Sequence, residues 1–132
     1  MLHRWNGTIG NGLDALITPI RWEDHAVPDM SIPPQDAINE QLVDDADLGI
    51  AIFWSRLGSP THSHASGSAE EIARLLQRGS RVMVYHKRSP IPQERLRDGE
   101  FDRLQETLER YRREGLLGDF DDVDQLAQKV LL

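Results

Sequence analysis

No cysteine occurs among the 132 residues, which excludes disulfides, thiolate nucleophiles and sulfur-ligated metals. The N-terminus lacks a secretory pattern, and together with the missing cysteine this fits a cytoplasmic protein. No apolar run approaches the ~20 residues needed to cross a bilayer, so no membrane partner is expected. An excess of positive charge is missing too: the net charge of -7 counts against a nucleic-acid partner. Internal repeats and low-complexity segments are absent. What is present, 39% hydrophobic and 28% charged residues, describes one ordinary globular domain over residues 1–132 with a single core.

The basic residues gather locally in Lys87 to Arg113 (Lys87, Arg88, Arg95, Arg97, Arg103, Arg110, Arg112 and Arg113). Glu94, Asp98, Glu100, Asp102, Glu106 and Glu109 are interleaved with them, which reads as a solvated helix face laced by i,i+4 pairs. Periodicity supplies the elements. Residues 1–12 read as the last turns of a helix stopped by glycine and asparagine. Ala15–Ile20 reads as a short strand, and Gln35–Asp44 as a helix after the loop punctuated by Pro28, Pro33 and Pro34. Leu48–Trp54 is continuously apolar, as expected of a strand buried on both faces, and Val82–His86 is a second such strand. Helices are expected at Ser68–Gln77, at Arg97–Arg113 with Phe101, Leu104, Leu108 and Tyr111 on one stripe, and at Asp121–Leu132 behind capping aspartates. The last should bury Val123, Leu126, Val130 and Leu131. Alternating strands and helices indicate an α/β fold with a parallel sheet flanked by helices in three layers, Leu48–Trp54 central and Val82–His86 beside it. Ile50, Ile52, Phe53, Val82, Val84, Ile72, Leu76 and Leu104 are expected in the core.

The stretch from Phe53 to Ile72, FWSRLGSPTHSHASGSAEEI, sets an aromatic, an arginine, several hydroxyls and two carboxylates at one strand-to-helix junction. Two readings fit. Ser68 with Glu71 three residues on is a capping box, and acidic side chains suit the first turn of a helix. The junction also lies beyond the carboxyl end of the most buried strand, where open α/β sheets bind ligands. With about 100° per residue, Ala69, Ile72, Ala73 and Leu76 define the buried face. Glu70 then points to solvent while Glu71 leans over the strand end. A desolvated Glu71 there suits a nucleophile or the stabiliser of an oxocarbenium-like centre. Trp54 is placed to stack a base and Arg56 to hold a phosphate. Trp22, after the first expected strand, either lines the same cleft or packs under the proline-rich loop. His62 and His64 flank Ser63 without a third ligand at metal-site spacing, so no metal is expected. His86 closes a strand.

Ser66 to Ile72, SGSAEEI, resembles the Ser-Gly-Thr-x-x-Glu helix start of nucleoside 2-deoxyribosyltransferases, whose glutamate attacks the sugar C1′. Glu71 takes that position, and Ser68 replaces the usual threonine. WEDHAVPDMSIPPQDAINEQL followed by DADLGIAIFWSRLGSPT is similar to bacterial domains related to Toll/interleukin-1 receptor (TIR) domains, found in conflict systems. The likeness covers Trp5 to the C-terminus. These resemblances imply a flavodoxin-like, TIR-like sheet and a nucleotide partner, with NAD as a substrate rather than a cofactor. They imply cleavage of its nicotinamide–ribose bond by Glu71, with Ser66 and Ser68 orienting ribose hydroxyls. They also imply self-association, or service in a larger defence or signalling protein. The alternative from another class is a non-catalytic module that signals by self-association. Relatives of this kind open on a strand, whereas this chain opens on a helix fragment. A first strand is therefore expected to be missing, leaving Leu48–Trp54 to pair with Ala15–Ile20 or with a second copy, unless the sequence is a truncated gene model.

Overall fold

The computed structural model describes residues 2–14, 16–20 and 39–131. Three strands, β1 (Leu48–Phe53), β2 (Arg81–Lys87) and β3 (Leu117–Phe120), form an all-parallel sheet in the order β1-β2-β3. At the N-terminal side lie α1 (Leu2–Trp5), a π-helical turn (Asn6–Gly10) and α2 (Asn11–Leu13), and a second π-helical turn (Asn39–Val43) precedes β1. α3 (Gly67–Gln77) joins β1 to β2, α4 (Glu100–Arg113) joins β2 to β3 after a 3₁₀ turn (Gln93–Leu96), and α5 (Val123–Leu131) follows β3. The expected α/β class and the parallel pairing of the first two sheet strands are both present.

Register explains the layering. Ala51, Val84 and Leu117 stand side by side, as do Phe53, His86 and Asp119, and successive side chains alternate between faces. One face, with Phe53, Val82, Val84 and Leu117, packs beneath Ile72 of α3 and Leu104, Leu108 and Tyr111 of α4. The opposite face, with Met83, Tyr85 and Phe120, packs on Leu126 and Val130 of α5. The Tyr85 and Phe120 rings meet edge-on with centroids 6.5 Å apart. The helix at α4 uses the expected stripe, and α5 is capped by Asp122, whose carboxylate accepts from Gln125 N at 2.8 Å.

Several expectations are corrected. Residues 16–20 form no strand and Ala15 lies outside the described residues, so the third strand is instead Leu117–Phe120. Among the described residues β2, not β1, is central. β1 is covered on one face only: Phe53 is buried, but Ile50 and Ile52 are 40% and 53% exposed, because α5 lies over β2 and β3. On α3 it is Leu75 that turns inward, leaving Leu76 40% exposed, and on α5 Val123 is exposed. The N-terminal helix runs through its glycines to Leu13, where Asp14 adopts a left-handed φ of 51°. The Asn6 amide ties it to the following segment, accepting from Ile17 N and donating to Ile17 O, each at 2.8 Å. The expected loop 21–34, Trp22 included, and residues 35–38 lie outside the described residues.

Leu104 is inaccessible at the centre of the α3/α4 layer. Leu104→Ala is therefore expected to cost about 2–5 kcal/mol, and Leu76→Ala about 1 kcal/mol or less. Urea unfolding of the two variants beside the parent checks both values.

Candidate functional site

The junction after β1 begins with helix capping. Ser66, extended at φ -162° and ψ 167°, accepts from Ala69 N through its hydroxyl at 3.1 Å. The cap is thus Ser66 rather than Ser68, and α3 starts earlier than its acidic pair suggests. Ser66 is fully buried, which commits its hydroxyl to the cap, while Ser68 lies half-buried in the first turn.

The two carboxylates are placed contrary to the helical-wheel expectation. Glu70, expected in solvent, is buried, and its side chain is only 8% exposed. Its Oε1 accepts from the Asn39 amide at 3.1 Å, while Oε2 is buried, has no hydrogen-bond partner among the described residues and lies 3.9 Å from His64 Nδ1. Glu71 is half-buried. The reason is tertiary. Glu70, Arg74 and Arg78 recur every four residues and share one stripe of α3, and the turn Asn39–Val43 with Asp44 lies across that stripe. Arg74 forms a two-pronged pair with Asp44 at 2.5 and 2.6 Å, and Arg78 donates to Val43 O at 3.0 Å. The stripe that would be solvated on an isolated helix is a polar seam. Asn39, the fully buried amide at its head, carries no local sequence signal; only the packed structure shows its role.

The loop between β1 and α3 is held down on α4. Leu57 is buried, and Arg56, exposed like its partner, pairs with Asp98 at 2.6 Å. That contact raises the Arg56 pKa and helps hold Asp98 below the usual carboxylate range, where the Glu100 backbone N–H acts first. Gly58 N donates to Glu100 at 3.3 Å, and Arg103 reaches Glu100 at 2.5 Å, Gly58 O at 3.3 Å and Ala65 O at 2.7 Å. Gly58 sits at φ 104°, a conformation glycine alone takes readily. The tip closes on itself, with Thr61 N donating to His64 O and His64 N to Thr61 Oγ1, both at 3.0 Å.

At the carboxyl edge of the sheet Trp54 is half-buried, and its indole N–H donates to Ser89 O at 3.4 Å. Its ring has Arg95 Cζ at 5.0 Å and Lys87 Nζ at 5.8 Å from the centroid. His86 Nε2 donates to Trp54 O at 3.1 Å, since a carbonyl can only accept, and His86 Nδ1 faces Asp119 Oδ1 at 3.9 Å. Asp119 Oδ1 and the Tyr111 hydroxyl are also buried, without hydrogen-bond partners among the described residues; burial raises the Tyr111 pKa.

The expected site residues are therefore dispersed in their attachments. Arg56 is engaged by Asp98 and Ser66 by the helix cap, Trp54 carries two cations, Ser68 and Glu71 lie in the early turns of α3, and Trp22 falls outside the described residues. A surface cleft of about 230 Å³ is lined by Asn6, Gly10, Asn11, Asp14 and Leu16, none of them an expected site residue. Among the described residues no group of three acidic or histidine side chains is arranged to hold a metal ion, and no helix is long and apolar enough to cross a membrane. Sequence reasoning passed over Asn39, and it took Lys87 and Arg95 for parts of a solvated face.

The seam has a pH signature. The Arg74 hydrogen bond, followed by its charge and that of Arg78, holds the Asp44 carboxyl below its ordinary value against the opposing effect of burial. A carboxyl lowered in the folded state stabilises above the unfolded-state value near 4, and that contribution is lost as pH falls through the lowered folded value. Asp44→Asn is expected to cost about 1 kcal/mol or less at pH 7, the pair being partly solvated. The gap between parent and variant should narrow as pH falls below 4, as read by denaturant melts across the acid range.

No protein-family model, curated protein or solved structure matches the chain.

Proposed function

We propose that the chain is a nucleotide-binding domain of flavodoxin-like, TIR-like type that cleaves an N-glycosidic bond, with the nicotinamide–ribose bond of NAD as its substrate. The observation that carries this reading is the Glu70 carboxylate: buried, held through one oxygen by Asn39, its other oxygen lacking a hydrogen-bond partner among the described residues. It stands in the early turns of the helix that follows β1, on the side of the sheet where parallel folds bind ligands. A desolvated carboxylate favours positive charge at a neighbouring carbon far more than a hydrated one does.

As the C1′–N bond breaks, its electron pair passes to the nicotinamide nitrogen, and positive charge develops on the ribosyl ring. Glu70 Oε2 meets that charge, and water supplies the hydroxyl that ends on C1′ while its proton leaves to solvent. A ligand that reaches Oε2 displaces His64, whose Nδ1 lies 3.9 Å from it. Glu71 is the position to which the motif resemblance points; the burial pattern favours Glu70 over it.

A second reading, a non-catalytic module that self-associates, is favoured by the exposed row of Leu48, Ile50 and Ile52 on one face of β1. Released nicotinamide distinguishes the two. On the catalytic reading the parent releases it, Glu70→Gln loses about a hundredfold or more in turnover with its melting transition retained, and Glu71→Gln stays close to the parent. Activity that survives in Glu70→Gln and vanishes in Glu71→Gln returns the role to Glu71. A folded parent that releases none, while Ile52→Lys abolishes a measurable oligomer in light scattering, establishes the second reading.

A further inference from the structure

We infer that Trp54, Lys87 and Arg95 form a subsite for the phosphate group of a small phosphorylated ligand. The chain has 22 acidic and 15 Lys and Arg residues, and several of its cations are met by carboxylates. Around the same loops Arg56, Arg88 and Arg103 are so met, by Asp98 at 2.6 Å, Asp121 at 3.2 Å and Glu100 at 2.5 Å. Lys87 and Arg95 are not: like Arg97 and Arg110, they have no carboxylate within ion-pair distance among the described residues, but Lys87 and Arg95 share one indole.

An aromatic face attracts a cation but does not neutralise it. Lys87 Nζ and Arg95 Cζ lie 5.8 and 5.0 Å from the same ring centroid, and like charges so placed make the neighbourhood attractive to an anion. The platform is fixed before any ligand arrives. Lys87 ends β2, Arg95 stands in the 3₁₀ turn Gln93–Leu96, and the Trp54 residue is tied by its indole N–H to Ser89 O and by its carbonyl to His86. It lies beyond the carboxyl ends of β1 and β2, where ligands of parallel sheets gather. A guanidinium offers a phosphate two parallel donors, and an ammonium adds a mobile third. Arg56, the phosphate contact expected from sequence, is already neutralised. The subsite rests on the cation pair alone; that the phosphate belongs to a nucleotide rests on the function proposed above.

Titration of the full chain with pyrophosphate, ADP-ribose and phosphate-free ribose, followed by tryptophan fluorescence and calorimetry at low and moderate salt, tests the subsite. Pyrophosphate and ADP-ribose should bind and weaken with salt, and ribose should not bind. The double variant Lys87→Gln/Arg95→Gln should raise both dissociation constants by about tenfold or more. Arg95→Lys should recover part of the loss, and Arg88→Gln should stay near the parent. ADP-ribose binding well ahead of pyrophosphate identifies a nucleotide; equal binding identifies a site for the bare anion, and both support the subsite. Glu70→Gln should keep anion binding whatever becomes of glycosidic cleavage, which separates failure of the subsite from failure of the catalytic reading. Absence of anion binding, unchanged binding in a folded double variant, or binding confined to single-stranded oligonucleotides would overturn the subsite.

Discussion

Strand β2 is hydrogen-bonded along both edges, and the position of every chemically distinctive group follows from that arrangement. Its pairing with β1 aligns Phe53 with His86, and its pairing with β3 aligns His86 with Asp119. Because all three strands run the same way, the chain leaves each of them at one edge of the sheet. Trp54, Lys87 and Asp121 are therefore brought to that one edge although 67 positions separate the first from the last in the numbering. Val84, almost wholly inaccessible at the middle of β2, anchors the row beneath. A change that loosened β2 would dissolve the Trp54 platform and the His86–Asp119 contact together.

The second constraint is polar. Along α3 the Glu70–Asn39, Arg74–Asp44 and Arg78–Val43 contacts dock a turn of backbone, with Val43 buried, on a helix flank. Exposed ion pairs contribute little to stability, but this seam encloses one member, Glu70, away from water. A buried carboxylate with an unfilled acceptor is costly where its only role is structural. Glutamine at the same place would still meet Asn39 and would remove the charge. Docking the turn accounts for Oε1; it gives no account of Oε2.

How far the sequence could be read divides along the same line. Leu104, Leu108 and Tyr111 repeat with helical period against an apolar sheet, so α4 and its buried stripe were legible locally. The parallel pairing of β1 with β2 followed from apolar strands separated by a helix. LGDF was not recognised as a strand, since Gly118 and Asp119 have low strand propensity. A signal was nonetheless there: Gly115 at φ 74° ends α4, the aspartates 121 and 122 open α5, and the few residues between must cross the sheet. Ile50 and Ile52 misled for a different reason. Hydrophobicity shows that a residue can be buried, not that a neighbour arrives to bury it. Glu70 is the converse, a charged residue that a wheel sends outward and a segment from another part of the chain encloses.

Charge at the carboxyl edge completes the comparison. At the β1–α3 loop Arg56 and Arg103 are matched to Asp98 and Glu100, so that the loop is held on the α4 side by these polar contacts as well as by buried Leu57. Two features of opposite sign stand apart among the described residues: a buried carboxylate oxygen without a hydrogen-bond donor, and two cations that share one indole with no carboxylate at ion-pair distance. A protein that needed only to fold could have resolved either with a nearby residue, given its surplus of acidic groups. Ligands that carry phosphate and develop positive charge at a sugar carbon place demands of both signs on a site. On the function proposed here, these two unmet groups answer those two demands, one on the loop and strand end around Trp54 and the other on the helix that the same loop enters.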